Sequence, residues 1–308
     1  MRTAKLGFLF TLFISQFSIL DPLHAAFLDP YWSSRVAALS GAFTALSNDA
    51  SAVFYNSAAA VYNRRREADF TYARLFAGLE GENIALNNFA YHQPVGRYTA
   101  YGIGWGSFTS EIYQELSLAV SYARDLKPFL RSYEGELSVG LAVRYLSRKF
   151  DLDVRSSADP VFKDGSRVNA AALDLNLYSV PDPLHLPGLS LGLSLKSVNQ
   201  PDIGFRDRER LPTEVHGGIL WRKGRFNFPI DISARKGEIT PHAGIEASLW
   251  NNQFRLRGGY DKSQMGTGFG YEHSLSPSFT MDIDYSFLWP LELKETSGSH
   301  RATLGVKF

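Results

Sequence analysis

From residue 67 to residue 308 the sequence repeats one pattern: roughly ten alternating apolar and polar side chains, then a turn signal. Side chains on a strand point to opposite faces with a period of two, so each such segment reads as a strand with one apolar and one polar face. The turn signals separate fourteen predicted strands, at 67–76, 83–93, 97–107, 113–124, 135–148, 167–178, 188–198, 212–222, 225–235, 239–250, 252–261, 265–275, 278–289 and 300–308. In 278–289, Phe279, Met281, Ile283, Tyr285, Phe287 and Trp289 oppose Thr280, Asp282, Asp284 and Ser286. In 188–198, Leu189, Leu191, Leu193 and Leu195 oppose Ser190, Gly192, Ser194 and Lys196; 135–148 sets Leu137, Val139, Leu141, Val143 and Tyr145 against Ser138, Gly140, Ala142 and Arg144. Such lengths suit the roughly 9–11 residues that a tilted strand needs to cross a bilayer, whereas soluble strands average about 5–6. An even number fits a single-chain barrel.

The final segment carries the pattern to the carboxy-terminus. Ala302, Leu304, Val306 and Phe308 share one face, and Arg301, Thr303, Gly305 and Lys307 the other. That is how the closing strand of a bacterial outer-membrane barrel reads, although an amphipathic edge strand of a soluble sheet alternates in the same way. The amino-terminal end separates the two. Arg2 and Lys5 precede an apolar run over 6–20, then Asp21-Pro22 and the small pair Ala25-Ala26, the order of a secretory signal peptide cleaved near Ala25 or Ala26. The run is shorter than the roughly 20 residues of a spanning helix. No cysteine follows it, which excludes a lipoprotein, and none elsewhere supplies a disulfide framework. The 22 Phe and 15 Tyr suit strands and interfacial girdles, and a net charge of +1 offers nucleic acid no global attraction.

These readings give the fold class: an all-β transmembrane antiparallel barrel of about fourteen strands, in the bacterial outer membrane after export. The expected organisation is a signal peptide over 1–26, an amino-terminal hatch over 27–66 and the barrel over 67–308. If both ends lie in the periplasm, odd-numbered connections face outward and are longer. The two longest, 149–166 and 199–211, are odd, and the tight turns at Lys223-Gly224 and Asn251-Asn252 are even; 125–134 and 179–187 are even and not short.

Residues 26–63 differ from everything after them. They are rich in Ala and Ser and do not alternate. Small residues allow close backbone approach, as a plug in a narrow lumen requires, and Asn48 or Asp49 is positioned to cap a short helix through Tyr55. Within this segment, Gly41-Ala42-Phe43-Thr44-Ala45-Leu46-Ser47-Asn48-Asp49-Ala50-Ser51-Ala52-Val53-Phe54-Tyr55-Asn56-Ser57-Ala58 resembles the hatch signature of FadL-like outer-membrane proteins, closest to the PorV/PorQ branch. The family has Asn-Pro-Ala where this chain has Asn56-Ser57-Ala58. Leu211-Pro212-Thr213-Glu214-Val215-His216-Gly217-Gly218, His242-Ala243-Gly244-Ile245-Glu246 and Arg255-Leu256-Arg257-Gly258-Gly259-Tyr260 resemble strand motifs of the same branch. The resemblance implies a fourteen-stranded barrel with an amino-terminal plug. For function it implies either an accessory role in type IX secretion or surface delivery, or FadL-like uptake of fatty acids or other hydrophobic compounds. A purely structural barrel is the third reading.

The polar faces carry Glu115, Arg144, Asp174, Lys196, Asp231, Arg235, His242, Glu246, Arg255, Arg257, Asp282, Asp284, Arg301 and Lys307. Charges of both signs point to cross-links within the wall and to the plug, or to a wet lumen, rather than to an ion-selective ring; a largely occluded barrel is expected. Two glycine rows, Gly102, Gly104, Gly106 and Gly266, Gly268, Gly270, leave space on the inner wall. The first coincides with the third strand, which in FadL-type transporters is kinked into a lateral opening; room for the plug is the simpler reading. Gly188-Leu189-Ser190-Leu191-Gly192 matches a nucleophile elbow but lies in an alternating strand, not a strand-turn-helix unit. The histidines show no metal-ligand spacing, so neither catalysis nor a cofactor is expected. Arg64-Arg65-Arg66 reads as a solvated turn, or as a contact to lipid phosphates. The partners implied are outer-membrane lipid, the barrel-assembly machinery, and secretion-system proteins or hydrophobic small molecules.

Overall fold

The computed structural model describes residues 26–79, 83–130, 132–153, 159–293 and 295–308. The signal-peptide reading therefore lies outside the described residues, except at Ala26.

Alternation is realised as fourteen antiparallel strands: β1 Glu67–Leu75, β2 Ile84–Val95, β3 Thr99–Thr109, β4 Tyr113–Asp125, β5 Glu136–Phe150, β6 Arg167–Val180, β7 Leu189–Lys196, β8 Glu214–Lys223, β9 Phe226–Arg235, β10 Glu238–Leu249, β11 Phe254–Asp261, β12 Gln264–Ser276, β13 Phe279–Pro290 and β14 Ser299–Lys307. Each pairs with its sequence neighbour, and β1 pairs with β14, so the sheet closes into a barrel. The closing register runs from Glu67↔Lys307 to Arg74↔His300. Just beyond it, Arg66 and Phe308 exchange backbone hydrogen bonds of 3.1 and 2.9 Å. The end carrying these two residues is called the terminal end below, and the other the distal end.

Outward faces are apolar. Val120, Val143, Ile230, Ile283 and Leu304 are between 47% and 59% exposed. Aromatic rings link neighbouring strands on the same surface, as in Trp221–Phe228, Phe254–Phe269 and Phe269–Tyr285, with centroids 5.6–6.2 Å apart. Inward faces are polar and buried, with Ser190 and Ser194 fully so. Ser190 accepts from Tyr178 and Arg222 in the wall rather than standing at a sharp turn.

One ladder is short. β6 meets β7 only over Leu175–Ser179, because β7 ends at Lys196 while β6 continues distally. The Asn199 side chain extends the pairing, accepting from Leu173 N at 2.9 Å and donating to Ala171 O at 2.8 Å. The connection between β7 and β8 then folds over the distal mouth, burying Ile203 and Leu211 against Ala26, Leu146 and Ala172.

Val143, at the middle of β5, should not tolerate charge. Val143→Arg is expected to lower unfolding stability in phospholipid vesicles by about 2–4 kcal/mol, the midplane value for Arg on a lipid-facing strand; a change below 0.5 kcal/mol would mean that this face is not in lipid.

Candidate functional site

Residues 26–63 occupy the lumen. From the distal end, Phe27 N donates to Glu115 at 2.8 Å, Arg235 donates to Ala26 O at 2.9 Å, and Asp29 pairs with Lys196 at 3.4 Å. Arg301 donates to Pro30 O. A one-turn helix, α1 (Ser34–Ala38), follows, capped by Ser33 accepting from Val36 N. It was not anticipated, although a serine before an apolar run is a cap signal. Gly41 turns the chain with φ +86. Phe43 N and Thr44 N then donate to one wall carboxylate, Asp231, at 2.9 and 2.6 Å, and His242 contacts Ser40 O at 2.7 Å.

Of the two anticipated caps, Asp49 is used. It accepts from Ser51 N at 3.0 Å and starts a 3-10 helix over Ala50–Phe54. Asn56 caps a second over Ser57–Tyr62, accepting from Ala58 N at 3.1 Å while its amide donates to Thr44 O and, across the lumen, to Leu177 O. Ser57 stands at the first helical position, where proline is well tolerated, so Asn56-Ser57-Ala58 keeps a capped turn without the ring. Ser57 Oγ accepts from Asn176, and Ser138 donates to Ala58 O.

Close approach explains the small residues on both sides. A Cβ at Gly192 would meet Thr44, and at Gly266 the Ala37 carbonyl. At Gly102, Gly104 and Gly106 it would meet Val53, Phe54 and Trp32, the last two stacked at 5.3 Å. β3 pairs without interruption with β2 and β4 through these residues. The wall is closed there and the glycine space is filled, so the structure contains no opening at the third strand.

Five of the charges, Arg35, Asp49, Glu246, Arg257 and Asp284, form one connected network. Arg35 forks onto Glu246 with two bonds of 2.8 Å and reaches Asp49 at 2.9 Å. Glu246 also accepts from Arg257 at 2.7 Å, and Arg257 pairs with Asp284 at 2.6 Å. Thus Glu246, Arg235, Lys196, Arg301, Asp231, Glu115 and His242 hold residues 26–63, whereas Arg144 pairs with Asp174 and Arg255 with Glu272 within the wall. Sequence reasoning passed over Arg35, the one charge in α1, and Glu67, Asp69 and Glu272. The face of β1 was legible, since Glu67, Asp69 and Thr71 alternate with Ala68, Phe70 and Tyr72.

Among the described residues, space remains beside this filling at both ends of the barrel. At the distal end a pocket of about 30 Å³ lies among Trp32, Phe54, Arg144 and Lys196, enough for one or two waters. At the terminal end a polar chamber of about 350 Å³ is bounded by Arg35, Glu67, Asp69, Arg255, Asp282 and Lys307. Above the distal mouth, Asp202 accepts from Gly204 N and Glu209 N, which holds its carboxyl below the usual carboxylate range. Phe150, Phe162 and Phe205 pack there, with mutual centroid distances of 5.4–5.5 Å.

Comparison with known proteins agrees with this architecture. Residues 43–306 match a family described as type IX secretion system membrane protein PorP/SprF. Similar solved structures include the CymD monoaromatic hydrocarbon channel (TM-score 0.62, 12% identity, covering 89% of this chain and 95% of that one). The Ralstonia pickettii toluene transporter TbuX (0.59, 11%, 89% and 97%) and a Pseudomonas aeruginosa FadL homologue (0.56, 13%, 89% and 97%) share the fold as well. None of the curated proteins is similar in sequence to this chain.

Glu246→Ala leaves Arg35 paired with Asp49 alone and Arg257 with Asp284 alone among the described residues, and is expected to cost about 3 kcal/mol in denaturant unfolding, the lower end for breaking a buried pair, with Glu246→Gln losing less; equal, small losses would contradict the network. Gly104→Ala should loosen residues 50–54, read as faster hydrogen exchange, and Phe54→Ala should restore protection in the double variant by vacating the space. Asp202 has a lowered pKa, so its stabilising contribution is present above the unfolded carboxylate value and is lost as pH falls through the folded value. Exchange in 203–211 should therefore rise only in acid, below about pH 4, and Asp202→Asn should abolish that step.

Proposed function

The chain belongs to the PorP/SprF family of type IX secretion system membrane proteins, and on that premise we propose that it assists the secretion or surface delivery of other proteins without catalysing a reaction. The match over 43–306 carries this reading. The filled lumen shapes it: a polypeptide needs a continuous pore, and residues 26–63 occupy the interior from Ala26 to the first strand. The barrel therefore acts as a partner of a secretion apparatus rather than as the conduit. Its outer contacts are proposed to be made through the distal face, where Phe162 and Phe205 pack beside exposed Arg206, Arg208 and Arg210. Residues 1–26 direct export in this reading, residues 27–66 act as the hatch, and the strand ending at Phe308 is taken up by the barrel-assembly machinery.

Among the described residues, the features of this conformation do not favour uptake of fatty acids or other hydrophobic molecules. The distal pocket has room for one or two waters, and the wall at Gly102, Gly104 and Gly106 is continuous.

Deleting the gene in its host is expected to leave type IX cargo in the periplasm, with wild-type protein restoring surface display. Purification in mild detergent should recover secretion-system proteins. Normal cargo display without the protein, together with bound lipid and no co-purifying protein, would replace this reading with transport.

A further inference from the structure

The geometry points to a divalent-cation site in the terminal-end chamber, at the seam where the barrel closes; we propose that calcium occupies it. Glu67 and Asp69 on β1 and Asp282 on β13 approach from the two strands that flank β14, and one carboxylate oxygen of each lies within 4.8 Å of the others. The residue of β14 between them is Gly305, paired with Asp69 on one side and Asp282 on the other. A side chain there would collide with both carboxylates, at 2.7 Å from Asp69 Oδ1. The glycine thus leaves a cradle into which oxygens from two neighbouring strands converge.

Two further observations indicate a ligand rather than an internal pairing. Asp69 is 6% exposed, and its Oδ1, directed over Gly305, has no hydrogen-bond partner. The adjoining chamber is lined by seven acidic and four basic side chains, a formal excess of three negative charges. Three of the four cations are committed elsewhere: Arg35 and Arg257 to Glu246, and Arg255 to Glu272. Lys307 alone faces the cluster, 2.8 Å from Glu272 but 3.5 Å from Asp282 and 3.7 Å from Glu67. One ammonium, itself nearest to Glu272, does not balance the three carboxylates of Glu67, Asp69 and Asp282.

The donors are all oxygens, which selects a hard cation. Calcium accepts 6–8 oxygens at about 2.3–2.6 Å in flexible geometry and completes its shell with water, which the chamber has room for; magnesium demands a near-ideal octahedron that three strand-borne carboxylates do not preform. Exposed Asn48 and Asn252 at the chamber rim leave an entry path for a hydrated ion. Bound there, the ion would join β1 to β13 across β14 and so clamp the barrel seam.

The test uses full-length mature protein refolded in detergent free of lipopolysaccharide and stripped with chelator. Calcium is expected to raise the temperature at which the folded band is lost on gels by several degrees, with half the effect at about 0.1–1 mM, the range of extracellular calcium modules. Asp69→Asn with Asp282→Asn should abolish the response, while Asp182→Asn, on an exposed turn, keeps it. If the double variant does not fold, calorimetry on the wild type decides: one calcium per barrel supports the site. No calcium binding at 10 mM, or an undiminished response in the double variant, overturns the site and leaves protons to neutralise the cluster.

Discussion

The pairing of β1 with β14 is the interaction on which the rest depends. In hydrocarbon an unpaired backbone N–H or C=O finds no water, and only closure removes both edges of a sheet. Registration of Glu67 with Lys307 supplies that closure and also decides which side chains face inward. A slip by one residue would send Glu67 and Asp69 into lipid and Phe70 and Tyr72 into the lumen.

Closure creates a narrow tube, and its contents follow from that width. The inner wall uses glycine and serine where residues 26–63 use alanine and serine, so the two backbones approach closely at Gly192, Gly259 and Gly266. What packing cannot satisfy, charge does. Asp231 takes two backbone donors of the Phe43 turn, and Glu246 takes Arg35 from the lumen and Arg257 from the wall. Buried ions of this kind are weak contributors to net stability, but removal of one partner is severe. The network therefore fixes the position of the segment more than it strengthens the fold, which suits a barrel that presents surfaces rather than passing solutes.

The strands were legible because lipid on one side and a polar lumen on the other impose a period-two pattern stronger than local propensity. Thirteen-residue β4 runs one residue past its expected end, and twelve-residue β13 keeps its expected length but is shifted by one residue. The contents of the tube were less legible. Gly41, Asp49, Asn56 and Ala58 mark turns and caps that sequence can flag, yet nothing in the sequence says that Arg35 reaches Glu246, 211 residues away. The glycine row at Gly102, Gly104 and Gly106 shows the same limit. Missing side chains announce space, and only the packed Val53, Phe54 and Trp32 show what fills it.

The course of residues 26–63 has a consequence for biogenesis. Ala26 is tied among the distal loops, and Arg66 leaves at the opposite rim beside Phe308. The segment is thus a ship inside its bottle, bonded to strands as far apart in synthesis as β4 and β14. Its anchoring residues on the last strand exist only once that strand has been made. Enclosure and sealing are therefore coupled late events, and a segment made before every strand is among the last to reach its final place.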